Sequence, residues 1–116
     1  MTIRRLKTYT GSQGYVYQYY FVGKRQSQSS DANEYVFDVT SDRKTTYAVS
    51  VTLPRTVVAD WAEAHGRSLA ESEQYAAIKM RLFRAFDELE DMQAKGRQLQ
   101  VDSQALGESL ASLGVE

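Results

Sequence analysis

Apolar and polar positions alternate with a period of two through the first half of the chain and with a helical period through the second. Thr46–Leu53 reads TYAVSVTL. Tyr47, Val49, Val51 and Leu53 fall on one face of it, and Thr46, Ala48, Ser50 and Thr52 on the other, the pattern of a strand with one buried and one open face. Tyr15–Val22 (YVYQYYFV) and Tyr35–Thr40 (YVFDVT) are rich in aromatic and β-branched residues, and a weaker strand is expected from about Ile3 to Tyr9. Gly11–Gly14 reads as a turn, Lys24–Asn33 as a polar loop, and Ser41–Lys44 as a link short enough to require an antiparallel hairpin. The expectation is a three- or four-stranded antiparallel meander.

The period changes at Pro54, the only proline, a residue suited to a first helical turn. Val57, Val58, Trp61 and Ala62 recur at helical spacing, and Gly66 supplies a left-handed stop. Ser68-Leu69-Ala70-Glu71 matches a capping box. It predicts a second helix from about Leu69 to near Lys95, about 39 Å long at ~1.5 Å per residue. Tyr75, Ile78, Leu82, Ala85, Leu89 and Met92 form a heptad-like seam along it. Beyond Gly96, Leu106, Leu110 and Leu113 follow Asp102 or Ser103 as a cap and predict a short C-terminal helix. The fold class is therefore α+β: a meander followed by two main helices packed on one face. Residues 1–95 form the domain, and 96–116 a C-terminal extension. Tyr47, Val49, Val51, Leu53, Phe37, Val57, Trp61, Ile78, Leu82 and Phe83 are the expected core.

Composition narrows the function classes. The 116 residues suit one domain. There are 14 Lys and Arg against 15 Asp and Glu, for a net charge of −1, which disfavours a dedicated nucleic-acid binder. The absence of cysteine removes disulfides, thiol catalysis and cysteine-based zinc sites. The N-terminal MTIRRLKTYT lacks the apolar core of a secretory signal, and no run approaches a membrane span. A cytoplasmic protein with no membrane partner is the expectation.

No catalytic constellation stands out, and no catalytic residue, cofactor or metal is expected. His65 is the single histidine and sits at a predicted helix end, where an imidazole favours the helix dipole. Asp87, Glu88, Glu90 and Asp91 form an acidic cluster, but Arg84 and Lys95 stand four residues from Glu88 and Asp91, the spacing of a solvated, ion-paired helix face. The aromatic strand is the more informative feature. Tyr15, Tyr17, Tyr19 and Phe21 share one face, and Val16, Tyr20 and Val22 share the other with Gln18. A strand apolar on both sides needs cover on both. The 15-to-21 aromatic face is thus a candidate interface or ligand surface, including a stacking platform for single-stranded nucleic acid.

Val49-Ser50-Val51-Thr52-Leu53-Pro54, a helix, Gly66-Arg67-Ser68, then Glu71 and a helix through Ala77-Ile78 and Leu82 together resemble the ribbon-helix-helix family of DNA-binding regulators over residues 49–86. The resemblance implies a strand that pairs with its dimer mate and enters the major groove. It places Ala48, Ser50 and Thr52 toward the bases and a phosphate contact near Arg67 and Ser68. None of those outward positions carries the Arg, Lys, Asn or Gln that makes most base-edge contacts, which keeps this second. The leading expectation is a small non-catalytic binding or oligomerisation module. It self-associates as a homodimer through strand 15–22 or the 75-to-92 seam, or takes an unidentified protein or small ligand.

Overall fold

A computed structural model of the protein describes residues 6–26, 31–89 and 91–115. It has a five-stranded sheet, in spatial order β1 to β5, with helices on one face. The strands are β1 (Lys7–Thr10), β2 (Val16–Gln26), β3 (Ala32–Thr40), β4 (Tyr47–Pro54) and β5 (Gln98–Gln100); the helices are α1 (Arg55–His65), α2 (Glu71–Glu88), the single turn α3 (Met92–Lys95) and α4 (Ser103–Ser112). β1 to β4 form the antiparallel meander that the alternation predicts. β5 joins β4 in parallel after the helical crossover, as a parallel neighbour requires.

Local chemistry sets the turns. In the β3–β4 hairpin the Asp42 carboxylate accepts hydrogen bonds from the Lys44 and Thr45 amides, both at 2.8 Å. These bonds let Arg43 adopt a left-handed φ of 65°. They also hold the Asp42 carboxyl below its ordinary pKa, Thr45 having the larger effect. Pro54 ends β4 and stands immediately before α1, one residue outside the helix rather than inside its first turn. Gly66, at φ 69°, ends α1 by donating its N–H to the Ala62 carbonyl.

The core is an aromatic layer between the sheet and α2. The Tyr9 ring stacks on Phe83 at 4.4 Å and the Tyr17 ring on Phe86 at 4.3 Å. Phe37, Val39, Val49, Val51 and Leu53 are fully buried beneath the helices. Eight of the ten expected core residues are buried, and Val57 and Phe83 pack half-buried against them.

Several expectations on the helices and strands need correction. α2 begins at Glu71, not Leu69, with Ala70 as its cap; the carboxylate that reaches back to the Ala70 N–H is Glu73, at 2.9 Å. α2 ends at Glu88, so it is about 27 Å long at ~1.5 Å per residue. Leu89 is extended, and Asp91 starts α3 by accepting from the Ala94 N–H at 3.1 Å. A short acidic side chain competing for helix amides breaks the seam that hydrophobic spacing alone carries through. The break drops Met92 into the core and turns the chain toward β5. Residues 96–115 are thus no appendage: Leu99, Val101, Leu106 and Leu110 belong to the core. α4 packs on α1 and α2, capped by Asp102, which accepts from the Ala105 N–H at 2.8 Å. The expected 24–33 loop is shorter, because Lys24–Gln26 and Ala32–Asn33 are strand. The Ile3 end of the expected first strand lies outside the described residues.

One corner ties the sheet to α2. The Tyr9 hydroxyl donates to the Asp87 carboxylate at 2.8 Å, and the Ser12 N–H donates to it at 2.9 Å. Gly11 lies against the helix backbone: a Cβ there would stand 2.8 Å from the Phe86 carbonyl oxygen. Gly11→Ala therefore forces the turn off α2 and is expected to cost about 1–3 kcal/mol. A urea titration measures it as a lowered midpoint with unchanged slope.

Candidate interaction surfaces

Among the described residues, the helices cover one side of the sheet and none lies on the other. Tyr17 and Tyr19, 2% and 4% exposed, point to the covered side. Their phenols are pushed above the ordinary tyrosine pKa, chiefly by burial. Phe21 is at the rim of the same side, 5.1 Å from the Tyr75 ring, and Tyr15 is half exposed beyond the strand's start. The candidate face formed by Tyr15, Tyr17, Tyr19 and Phe21 is thus mostly core: α2 occupies the ring faces of Tyr17 and Tyr19, and no open stacking platform remains there. The 75-to-92 seam is covered in the same way, with Ile78, Leu82, Ala85 and Met92 buried in the chain's own core. A helix seam looks the same in sequence whether it meets its own sheet or a second copy, and here the sheet takes it.

The bare side carries the alternate residues. Leu6, Val16 and Val22 are 51%, 45% and 43% exposed. Val36 lies opposite Gly23, where the β2–β3 register shifts after Phe21 and leaves Val22 as an extra residue. Two pairs of polar groups meet among them: the Tyr20 hydroxyl donates to Asp38 at 2.6 Å, and Arg25 pairs with Glu34. A shallow groove of about 410 Å³ crosses this side, lined by Leu6, Gln18, Tyr20, Asp38, Arg43 and Thr46 among others.

The residues of the phosphate-contact expectation sit at the corner between α1 and α2. The Arg67 guanidinium is bound to both oxygens of Glu73, at 3.0 and 2.8 Å, and lies 5.1 Å over the Trp61 ring. Ser68 lines a separate groove with Val58, Ala62 and Leu69. β4 has β3 along one edge and β5 along the other, so neither edge is open to strand pairing with a second copy. Its outward residues Ala48 and Ser50 border a cleft beside Lys95 and Arg97.

The remaining candidates scatter. His65 stacks on Trp61 at 4.1 Å and donates its Nδ1–H to the Trp61 carbonyl at 2.9 Å, a helix-end role. Asp87 holds Tyr9 and Ser12, Glu88 pairs with Arg84 at 3.0 Å, and Asp91 caps α3; Glu90 lies outside the described residues. Among the described residues no group of three or more His, Asp or Glu side chains is placed to hold a metal ion, and no helix is long and apolar enough to cross a membrane. Comparison with known proteins finds no matching family model, curated protein or solved structure.

The Arg67 bond, and then the Ala70 N–H, hold the Glu73 carboxyl down at about 2, against an ordinary 4.5. A depressed carboxyl pKa adds stability that is full above the unfolded-state value and is lost as pH falls through the folded one. Wild type is therefore expected to lose urea resistance between about pH 4.5 and 2, and Glu73→Gln to lose less over that window. Equal pH slopes for the two proteins would show that the corner contributes nothing.

Proposed function

We propose that the protein is a non-catalytic self-association module, a homodimer in which two copies pack their helix-free sheet faces together. The observation that carries this reading is the group Leu6, Val16, Val22 and Val36 on the side of the sheet that, among the described residues, no helix covers. Strand β2 is apolar on both sides; α2 covers the first, and a second copy covers the other. The 35 strand residues, at ~3.3 Å along a strand and ~4.8 Å between strands, give a face of roughly 550 Å² in projection. That is the size of a weak rather than a permanent pair, since a standard interface takes about 800 Å² from each partner. Asp38 already accepts from Tyr20 and Arg25 already pairs with Glu34, so neither carboxylate would be left without a partner when the face is covered. A two-fold contact also gives each apolar patch a partner of the same character.

Light scattering tests this directly. Wild type at about 500 µM, well above a micromolar dissociation constant, is expected close to twice the chain mass. The double variant Val16→Lys/Val22→Lys is expected at the monomer mass, because each ammonium would have to be desolvated in the contact. Ala59→Lys, on the exposed side of α1, leaves the dimer unchanged. A monomeric wild type at this concentration sinks the proposal.

A further inference from the structure

β5 pairs with β4 only from Ser50 onward. Just before that pairing a side chain takes the place of a strand. The Arg97 Nε–H donates to the Ala48 carbonyl at 3.1 Å, and the Arg97 carbonyl accepts from the Ser50 N–H at 2.8 Å. Arg97 is thus tied to β4 by both its side chain and its main chain. Its two Nη groups remain to donate elsewhere. The turn at Gly96, packed too closely on Met92 to admit a side chain, sets Lys95 and Arg97 on either side of it.

Lys95, Arg97, Ser50 and Gln98, with Ala48 and Ala94, line a cleft of about 430 Å³, a size suited to a small ligand. Its charge sets it apart from the neighbouring grooves. The groove between α2 and α4 balances Arg81 and Arg84 with Glu88 and Asp102, and the groove across the bare face balances Arg43 with Asp38. Among the described residues this cleft is lined by two cations and no carboxylate. Asp91, at the other end of α3, is engaged there by the Ala94 N–H at 3.1 Å. The Ser50 hydroxyl and the Gln98 amide add neutral donors beside the two charges.

The geometry points to a phosphate-binding cleft between β4, α3 and β5, in which Arg97 and Lys95 neutralise the anion and Ser50 and Gln98 donate to its remaining oxygens. A carboxylate has one charge and two oxygens, which a single guanidinium satisfies. A phosphate monoester carries about 1.5–2 charges at neutral pH and three terminal oxygens, and so uses the ammonium and the neutral donors as well. Arg97 organises the site. A guanidinium already fixed by its Nε–H bond to Ala48 loses little side-chain freedom when the ligand arrives. The ligand class is inorganic phosphate or a small phosphate monoester.

Inorganic phosphate, glycerol phosphate and acetate serve as probes, each titrated at constant ionic strength against chloride and followed in amide ¹⁵N–¹H spectra. Wild type is expected to show saturable shifts at Ser50 and Lys95–Gln98 below about 50 mM phosphate, above the millimolar dissociation constant expected of one open anion site. Arg97→Met is expected to weaken binding about tenfold, the loss of one hydrogen-bonded charge. Lys95→Met is expected to weaken it about threefold, since its ammonium is a flexible point charge. Lys24→Met, which changes the net charge equally but lies outside the cleft, leaves binding unchanged. Tighter binding of glycerol phosphate assigns the cleft to an ester, and tighter binding of inorganic phosphate assigns it to the free ion; both support the site. Acetate binding as tightly as phosphate overturns the phosphate assignment. Shifts spread evenly over the surface, no saturation, or binding that survives in both cleft variants overturns the site itself. Should a variant fail to fold, the position of the wild-type shifts still decides.

Discussion

The structure depends on one contact, the stacking of β1 and β2 aromatics on α2. Tyr9 on Phe83 and Tyr17 on Phe86 bring ring centroids within 4.5 Å in near-parallel planes. Each aromatic buries about 150–250 Å², and a stacked pair adds about 0.5–1.5 kcal/mol beyond burial. These pairs fix how far α2 slides along the sheet. The Asp87 carboxylate, held by Tyr9 and Ser12, then fixes where α2 ends. From that end the chain turns through α3 and lays β5 beside β4. The crossover gives β4 a neighbour on both edges and brings α4 over α1 and α2.

A consequence of placing every helix on one side is that the two faces of β2 have different fates. Tyr17 and Tyr19 are buried against α2, whereas Val16 and Val22 are 45% and 43% exposed. The sheet edges are managed separately. β5 is three residues long, and the Arg81 Nε–H donates to its Gln100 carbonyl at 3.1 Å, blunting an edge that would otherwise accept another strand. At the other side β1 carries Lys7, which discourages edge pairing.

Much of the architecture was legible because the signals were local. Strict alternation marked β4 and its buried set. Gly66 marked a helix end through its backbone freedom, and Asp102 marked the start of α4 as a side-chain cap. β5 was not legible: Gln98-Leu99-Gln100 has one apolar residue and becomes a strand only because β4 offers an edge. The break at Leu89 was hidden by a heptad pattern that continues across it to Met92. For the candidate surfaces, the sequence showed that β2 is apolar on both sides but not which side the helices take, since that depends on the hand of the crossover.

The central claim is that the sheet has one face closed by its own helices and one face closed by a second copy. A dilution series of amide ¹⁵N–¹H spectra, from about 1 mM down to about 10 µM, spans the micromolar dissociation constants expected of a contact this small. The account predicts concentration-dependent shifts at Val16, Gln18, Val22, Val36 and Ser50, with α1, α2 and α4 unmoved. Shifts confined to the helices, or none anywhere in the series, would contradict it.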